Sequence, residues 1–305
     1  MAIARDQVCV LIPTLNEAPT IGGIVRQFRE MGFPHVLVMD GHSSDRTREI
    51  AAREGARVEV QSGKGKGQAL VEAFSLVEQP YILMIDGDGT YDPADAEKLL
   101  APLERGYDHV IGDRLTEENR DAFSRLNLFG NYVLNRLFKA AHSVFLSDIL
   151  SGYRAFTRES VLQLRLKEVG FGIETEISAE AVRRGQKIAV VPVGYRKRSG
   201  TPTKLSPFHD GLKITATIYR LAKMSNPLFY FGLMGLAIMA AGFLIGIYIV
   251  IEWLRQVEHL PLTILTVLLI IVGFQIFMFG VFSDMMLAMH REVLAEIRGG
   301  RQREK

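Results

Sequence analysis

YILMIDGDGTYDP, residues 81–93, is an apolar run that stops abruptly at an acid. Asp86 and then Asp88 follow the run, with Gly87 and Gly89 between and after them. Short apolar runs bounded by turn residues read as buried strands. Two carboxylates at the tip of such a strand repel each other unless something neutralises them. An EF-hand loop would place ligands at Asp86, Asp88, Thr90, Asp92 and Glu97, but its sixth position needs glycine and here is Tyr91. A helix must precede that loop, whereas here an apolar strand does. A solvated acidic turn is the plainest alternative. A divalent cation, Mg²⁺ or Mn²⁺, that bridges Asp86 and Asp88 to a diphosphate would relieve the repulsion. It would also make the diphosphate a good leaving group.

Working outward, residues 8–12, 36–39, 58–60 and 109–111 are further short apolar or β-branched runs. Between them, Ile21, Ile24, Val25 and Phe28, and later Leu70, Ala73, Phe74 and Val77, have helical spacing. Strands alternating with helices predict an α/β domain with a mainly parallel, Rossmann-like sheet covered on both faces. Ligands bind such sheets beyond the carboxyl ends of the strands. Asn16, Glu17, Asp40, Asp86 and Asp88 all fall at those ends. SGKGKGQA, residues 62–69, lacks the GxxxxGK[ST] order of a P-loop. Its glycines still suit close approach to phosphate, with Lys64 or Lys66 adding charge; a flexible solvated turn explains each lysine equally well.

The chain has 305 residues and a formal charge of +2, too balanced for a nucleic-acid-binding protein. The single cysteine, Cys9, sits in the first apolar run and reads as a small core residue. The N-terminus has too short an apolar run and too early an acid for a cleaved signal peptide. Composition shifts near Asn226. Residues 228–251 and 260–283 carry no charge, and each run is long enough to cross the roughly 30 Å hydrocarbon core as a helix. The short linker between them permits only a tight hairpin. Lys213, Arg220 and Lys223 precede the hairpin, and Arg291, Arg298, Arg301, Arg303 and Lys305 follow it. The positive-inside rule then puts both termini and the soluble part in the cytoplasm, with two spans in the cell membrane. Residues 122–146 and 212–224 interleave apolar and basic side chains as interfacial helices do, though ordinary core-facing helices share the pattern.

Taken together, VLIPTLNE, MDGHSSDRT, GKGKGQA, IDGDGTY, GDR and DILSGYRAF resemble the inverting glycosyltransferases of family 2, which have the GT-A fold. With the hairpin, the chain looks like the polyprenyl-phosphate glycosyltransferases of the dolichyl-phosphate mannose synthase group. It is most similar to the archaeal dolichyl-phosphate hexosyltransferases of protein N-glycosylation. The resemblance divides the chain into a GT-A domain over 1–203, a juxtamembrane segment over 204–226, two spans over 227–284 and a cytoplasmic tail over 285–305. It implies inverting transfer of a hexose from a nucleotide-diphospho-sugar, best UDP-glucose, to dolichyl or polyprenyl phosphate. GDP-mannose and UDP-N-acetylglucosamine are the alternative donors. A membrane-anchored binding protein without catalysis is the rival of a different class. Membrane lipid is an expected partner, and oligomeric state stays open.

Residue by residue, the resemblance has Pro13, Glu17 and Asp40 lining the nucleoside pocket and Lys66 near phosphate. Asp86 contacts nucleotide or metal, and Asp88 ligates the metal. Arg114 neutralises phosphate, with Arg125 and Arg198 also set to meet the acceptor phosphate. Ser151, Gly152, Tyr153 and Arg154 border the sugar and acceptor site, with Glu174 and Glu176 beside them. Arg198 and Lys204 belong to a basic phosphate-holding loop. Leu15 replaces a frequent tyrosine, His42 interrupts the frequent DDGS pattern, and Thr90 replaces the glutamine common in mannose synthases. No histidine or cysteine nucleophile stands out. None is required, since a lipid phosphate is already anionic at neutral pH and needs no general base.

Overall fold

The computed structural model describes residues 3–168, 170, 172–198 and 207–303. Its sheet is built from β1 (Val8–Thr14), β2 (His35–Asp40), β3 (Arg57–Val60), β4 (Tyr81–Met84), β5 (His109–Asp113), β6 (Arg154–Thr157) and β7 (Ile188–Pro192). The strand order is β3-β2-β1-β4-β6-β5-β7. Only β6 runs against its neighbours, pairing antiparallel with β4 and β5. The five strands expected from the apolar runs are all present, and β6 and β7 complete the sheet.

Each strand of the sheet centre feeds two cores. Val8, Val10 and Ile12 of β1 join one cluster with Ile21, Val25 and Phe28 of α1 (Ala18–Glu30). Cys9 and Leu11 join the other with Leu70, Ala73 and Phe74 of α3 (Lys66–Leu76). The period-two alternation of side chains sends neighbours to opposite faces, and helices cover both. That is why these strands read as unbroken apolar runs. Cys9 is a buried core residue, and burial pushes its thiol up to about 12, so it is inert as a nucleophile.

The remaining helices are α2 (Thr47–Arg53), α4 (Ala96–Glu104), α5 (Arg125–His142), α6 (Arg158–Leu162), α7 (Ile173–Arg183), α8 (Pro207–Ser225), α9 (Pro227–Leu254) and α10 (Leu260–Arg303). Contacts divide the chain into one compact unit of Met1–Lys139 with Val144–Ile218 and a second of Ala140–Ser143 with Tyr219–Lys305. In the second unit α9 and α10 pair closely: a Cβ at Gly235 would lie 2.6 Å from Gly273 O, so glycine is needed where the backbones touch. Both helices are long and apolar enough to cross a membrane, over Pro227–Leu254 and Leu260–Met289. Only 11% and 17% of their most apolar stretches is buried, the reverse of a soluble core helix. The helix of α10 continues beyond residue 283 as far as Arg303.

Candidate active site

The carboxyl ends of β1, β2 and β4 converge as the motifs require. Beyond β1 the chain turns through Asn16 at φ 52°, a left-handed conformation that asparagine tolerates. Asn16 N donates to Ser43 Oγ at 2.8 Å, and Ser44 N donates to Asn16 Oδ1 at 2.8 Å, locking the β1 and β2 loops together. Asp40, at the tip of β2, is wholly buried and accepts from Ser43 N at 2.8 Å through Oδ2. Its Oδ1, Thr14 Oγ1 and Gln61 Oε1 are buried without a hydrogen-bond partner. Three buried polar atoms at neighbouring strand tips thus lack a protein partner, as atoms that meet a ligand or water do. Pro13 is buried within β1 beside them.

Beyond β4, Asp88 Oδ1 accepts from Thr90 Oγ1 at 2.7 Å and Thr90 N at 3.1 Å, an Asx-type turn that orients the carboxylate. Its Oδ2 faces Arg198 Nη1 at 3.3 Å, and Arg198 Nη2 also donates to Glu17. Arg198 is carried there by the chain leaving β7: Tyr195 bridges Tyr91, and Arg196 N donates to Thr90 O at 2.8 Å. Asp86 Oδ1 pairs with Lys66 Nζ at 2.6 Å, and Lys66 Nζ also meets Glu174 Oε1 at 2.5 Å. Burial alone would lower the Lys66 ammonium, but Asp86 and Glu174 outweigh it and raise it. Burial, then the charge of Asp86, pushes the Asp88 carboxyl above its ordinary range. Among the described residues, the carboxylates of Glu17, Asp86, Asp88 and Glu174 are paired with Lys66 and Arg198. The oxygen donors of Asp86 and Asp88 suit Mg²⁺ or Mn²⁺, with the remaining ligands left to a diphosphate or water.

Gly152 packs against Asp86, and a Cβ there would sit 2.5 Å from Asp86 Cγ. Gly152 N donates to Tyr91 Oη at 2.8 Å, so the loop is anchored on the DGDGTY turn. Its neighbours do other work than expected. Ser151 is wholly buried with Oγ beside Tyr91 Oη, and Tyr153 is wholly buried with Oη directed at Pro93 O. Arg154 does not border the site. It is fully buried and donates to Ser151 O, Ile149 O and Ser178 Oγ, holding the 149–152 loop from within. Burial lowers its guanidinium to about 10. Glu176 is likewise turned away and accepts from Lys167 N and Glu168 N. Of the two acids that the resemblance sets beside the sugar and acceptor site, Glu174 is the one that reaches Lys66.

Arg114 forms a two-pronged pair with Asp148, Nε at 2.7 Å and Nη2 at 2.8 Å, beneath the rings of Tyr195 and Phe123. Its expected phosphate contact therefore competes with a buried carboxylate that the motif DILSGYRAF contains but that was not singled out. Replacing Arg114 with Ala strands Asp148 as an unpaired buried charge. The expected loss of stability is about 3–5 kcal/mol, read by denaturant unfolding of the soluble unit's signal. Arg125 is exposed at the start of α5, and Lys204 lies outside the described residues.

A mainly parallel sheet with acids, a lysine and an arginine gathered at its strand tips has the layout of a nucleotide-binding site. The chain belongs to glycosyl transferase family 2, whose profile matches residues 9–163. It is 50% identical over 295 residues to glycosyltransferase AglJ of Haloferax volcanii, covering 96% of this chain and 97% of that one. It is 35% identical over 218 residues to the dolichyl-phosphate hexose transferase of the same organism, covering 71% and 94%. Among solved structures, glucosyl-3-phosphoglycerate synthase from Mycobacterium tuberculosis, in complex with Mn²⁺, UDP-glucose and phosphoglyceric acid, has the same fold. The TM-score is 0.59 at 23% identity over 71% of this chain and 80% of that one.

Proposed function

We propose that the protein transfers a hexose, best from UDP-glucose, to dolichyl or polyprenyl phosphate with inversion at the anomeric carbon. The observation that carries this reading is the pair of strand-tip acids Asp86 and Asp88, gathered with Glu17, Glu174, Lys66 and Arg198 beyond the sheet. Asp86 and Asp88 would hold Mg²⁺ or Mn²⁺, which when bound supplies positive charge to the departing diphosphate. The orphaned oxygens of Thr14, Asp40 and Gln61 would accept from the nucleoside. Arg198, now shared between Glu17 and Asp88, would turn to phosphate when the cation takes over Asp88. The remaining task is to hold two phosphates close despite their repulsion, which is positioning and charge stabilisation rather than proton transfer. An α-linked donor would give a β-linked lipid product.

A lipid acceptor is supported by the relative named as a dolichyl-phosphate hexose transferase and by the two membrane-length helices. It is also supported by α5, which exposes Leu126, Phe129 and Tyr132 beside Arg136, whose guanidinium lies 5.1 Å from the Tyr132 ring. That face suits a headgroup layer, with apolar groups below and cations at phosphate. The basic flanks of the hairpin favour a cytoplasmic catalytic domain and cytoplasmic termini. The resemblance to archaeal N-glycosylation enzymes supports protein glycosylation as the use of the product.

Incubating the full-length protein with dolichyl phosphate and each of UDP-glucose, UDP-N-acetylglucosamine and GDP-mannose tests the donor assignment. Lipid-linked glucose as the main product supports it; a preference for either other donor replaces it. Arg198→Ala is expected to lower turnover about 30- to 1000-fold, or roughly 2–4 kcal/mol of transition-state stabilisation. Kinetics equal to wild type would remove Arg198 from the site.

A further inference from the structure

We propose that Glu174, acting through Lys66, is a positioning residue that presets the Asp86 carboxylate for the metal-bound nucleotide. The inference rests on the nucleotide-sugar reading above and adds a residue to it. Lys66 opens α3, and its Nζ lies 2.6 Å from Asp86 Oδ1 and 2.5 Å from Glu174 Oε1. A lysine side chain is a flexible stem, and one anion alone would let it swing. Glu174 removes that freedom. It sits in the first turn of α7, where the helix dipole favours an acid, and its side chain is 5% exposed. Its one ion pair among the described residues is with Lys66.

Gly152 also packs against Asp86, so closely that no Cβ fits there. The Asp86 carboxylate is therefore in contact with both a tethered cation and the Gly152 backbone before any ligand arrives. Glu176, two residues further along the same helix, points elsewhere and caps the 167–168 amides, so the assignment belongs to Glu174 alone.

The test measures Mn²⁺ affinity in the presence of UDP, without turnover, by electron paramagnetic resonance on the full-length protein in detergent. Glu174→Gln is expected to weaken Mn²⁺ binding about 10- to 100-fold, as loss of an outer partner of a metal ligand does. In a Lys66→Met background the same substitution is expected to change affinity by less than about twofold, because its route to Asp86 is gone. Glu174→Asp, which keeps the charge but shortens the reach, is expected to behave like Glu174→Gln. A loss that persists in the Lys66→Met background, or Glu174→Asp binding like wild type, would show a through-space charge effect and overturn the proposal. So would unchanged affinity in Glu174→Gln. Wild type that binds no Mn²⁺ with UDP would overturn the metal-nucleotide reading itself.

Discussion

Asp88→Asn is expected to lower sugar transfer by about 1000-fold, close to 4 kcal/mol of transition-state stabilisation, while leaving the fold as stable as before or more so. Both halves follow from the same turn. The carboxylate is held in place by Thr90 and faces Arg198, so its removal takes one of the two acids proposed to hold the metal. Asparagine keeps an oxygen for Thr90, and the turn survives. Burial and the Asp86 charge raise the Asp88 carboxyl, so the folded state favours its protonated form more than the unfolded chain does. Its ionisation at neutral pH therefore weighs against folding, and the native contribution improves as pH falls through the raised value. A side chain that cannot ionise removes that burden. Thermal unfolding at pH 7 should show a midpoint at or above wild type. A variant that unfolds early would mean that Asp88 holds the turn rather than serving the reaction.

Gly152→Ala should cost about 100-fold in turnover, the scale of a displacement near 1 Å in a reacting array. The added Cβ would fall 2.5 Å from Asp86 Cγ and 2.6 Å from Asp86 Oδ1, far inside van der Waals contact. Either the carboxylate leaves Lys66 or the 149–152 loop lifts from the Tyr91 hydroxyl. The loop is held from beneath by Arg154, whose donors reach Ser151 O and Ile149 O, so the carboxylate is the part that gives way. UDP binding without metal should change little, whereas Mn²⁺ binding with UDP should weaken. Wild-type turnover in Gly152→Ala would show that Asp86 is free to reorient and plays no geometric part.

The strands at the sheet centre were legible because both of their faces are buried, which leaves unbroken apolar runs at β1, β2 and β4. Their carboxyl-end acids could be located for the same reason: a charge is conspicuous where an apolar run ends. The errors fall where burial is uniform and gives no face to read. In α7 every residue from Ile173 to Ala181 is buried, so no stripe marks which of Glu174 and Glu176 turns to the strand tips. Residues two apart on a helix point to nearly opposite sides, and only the fold decides between them. Arg154 misled for a related reason. It begins β6, whose first three residues are all buried, and two of its acceptors are backbone carbonyls that no side-chain motif announces. Arg114 was found by its motif, but the pair with Asp148 joins positions 34 residues apart and has no local signature.

The most direct measurement of the central claim is single-turnover transfer of radiolabelled glucose from UDP-glucose into the organic phase, with dolichyl phosphate present. It is run on wild type, on wild type with EDTA and on Asp88→Asn. The account predicts acid-labile label in the lipid for wild type with Mg²⁺ or Mn²⁺, and its near disappearance in the other two. Equal lipid labelling in all three would contradict the role given to the paired acids. Label released only as free sugar, with none in the lipid, would contradict the lipid-phosphate acceptor.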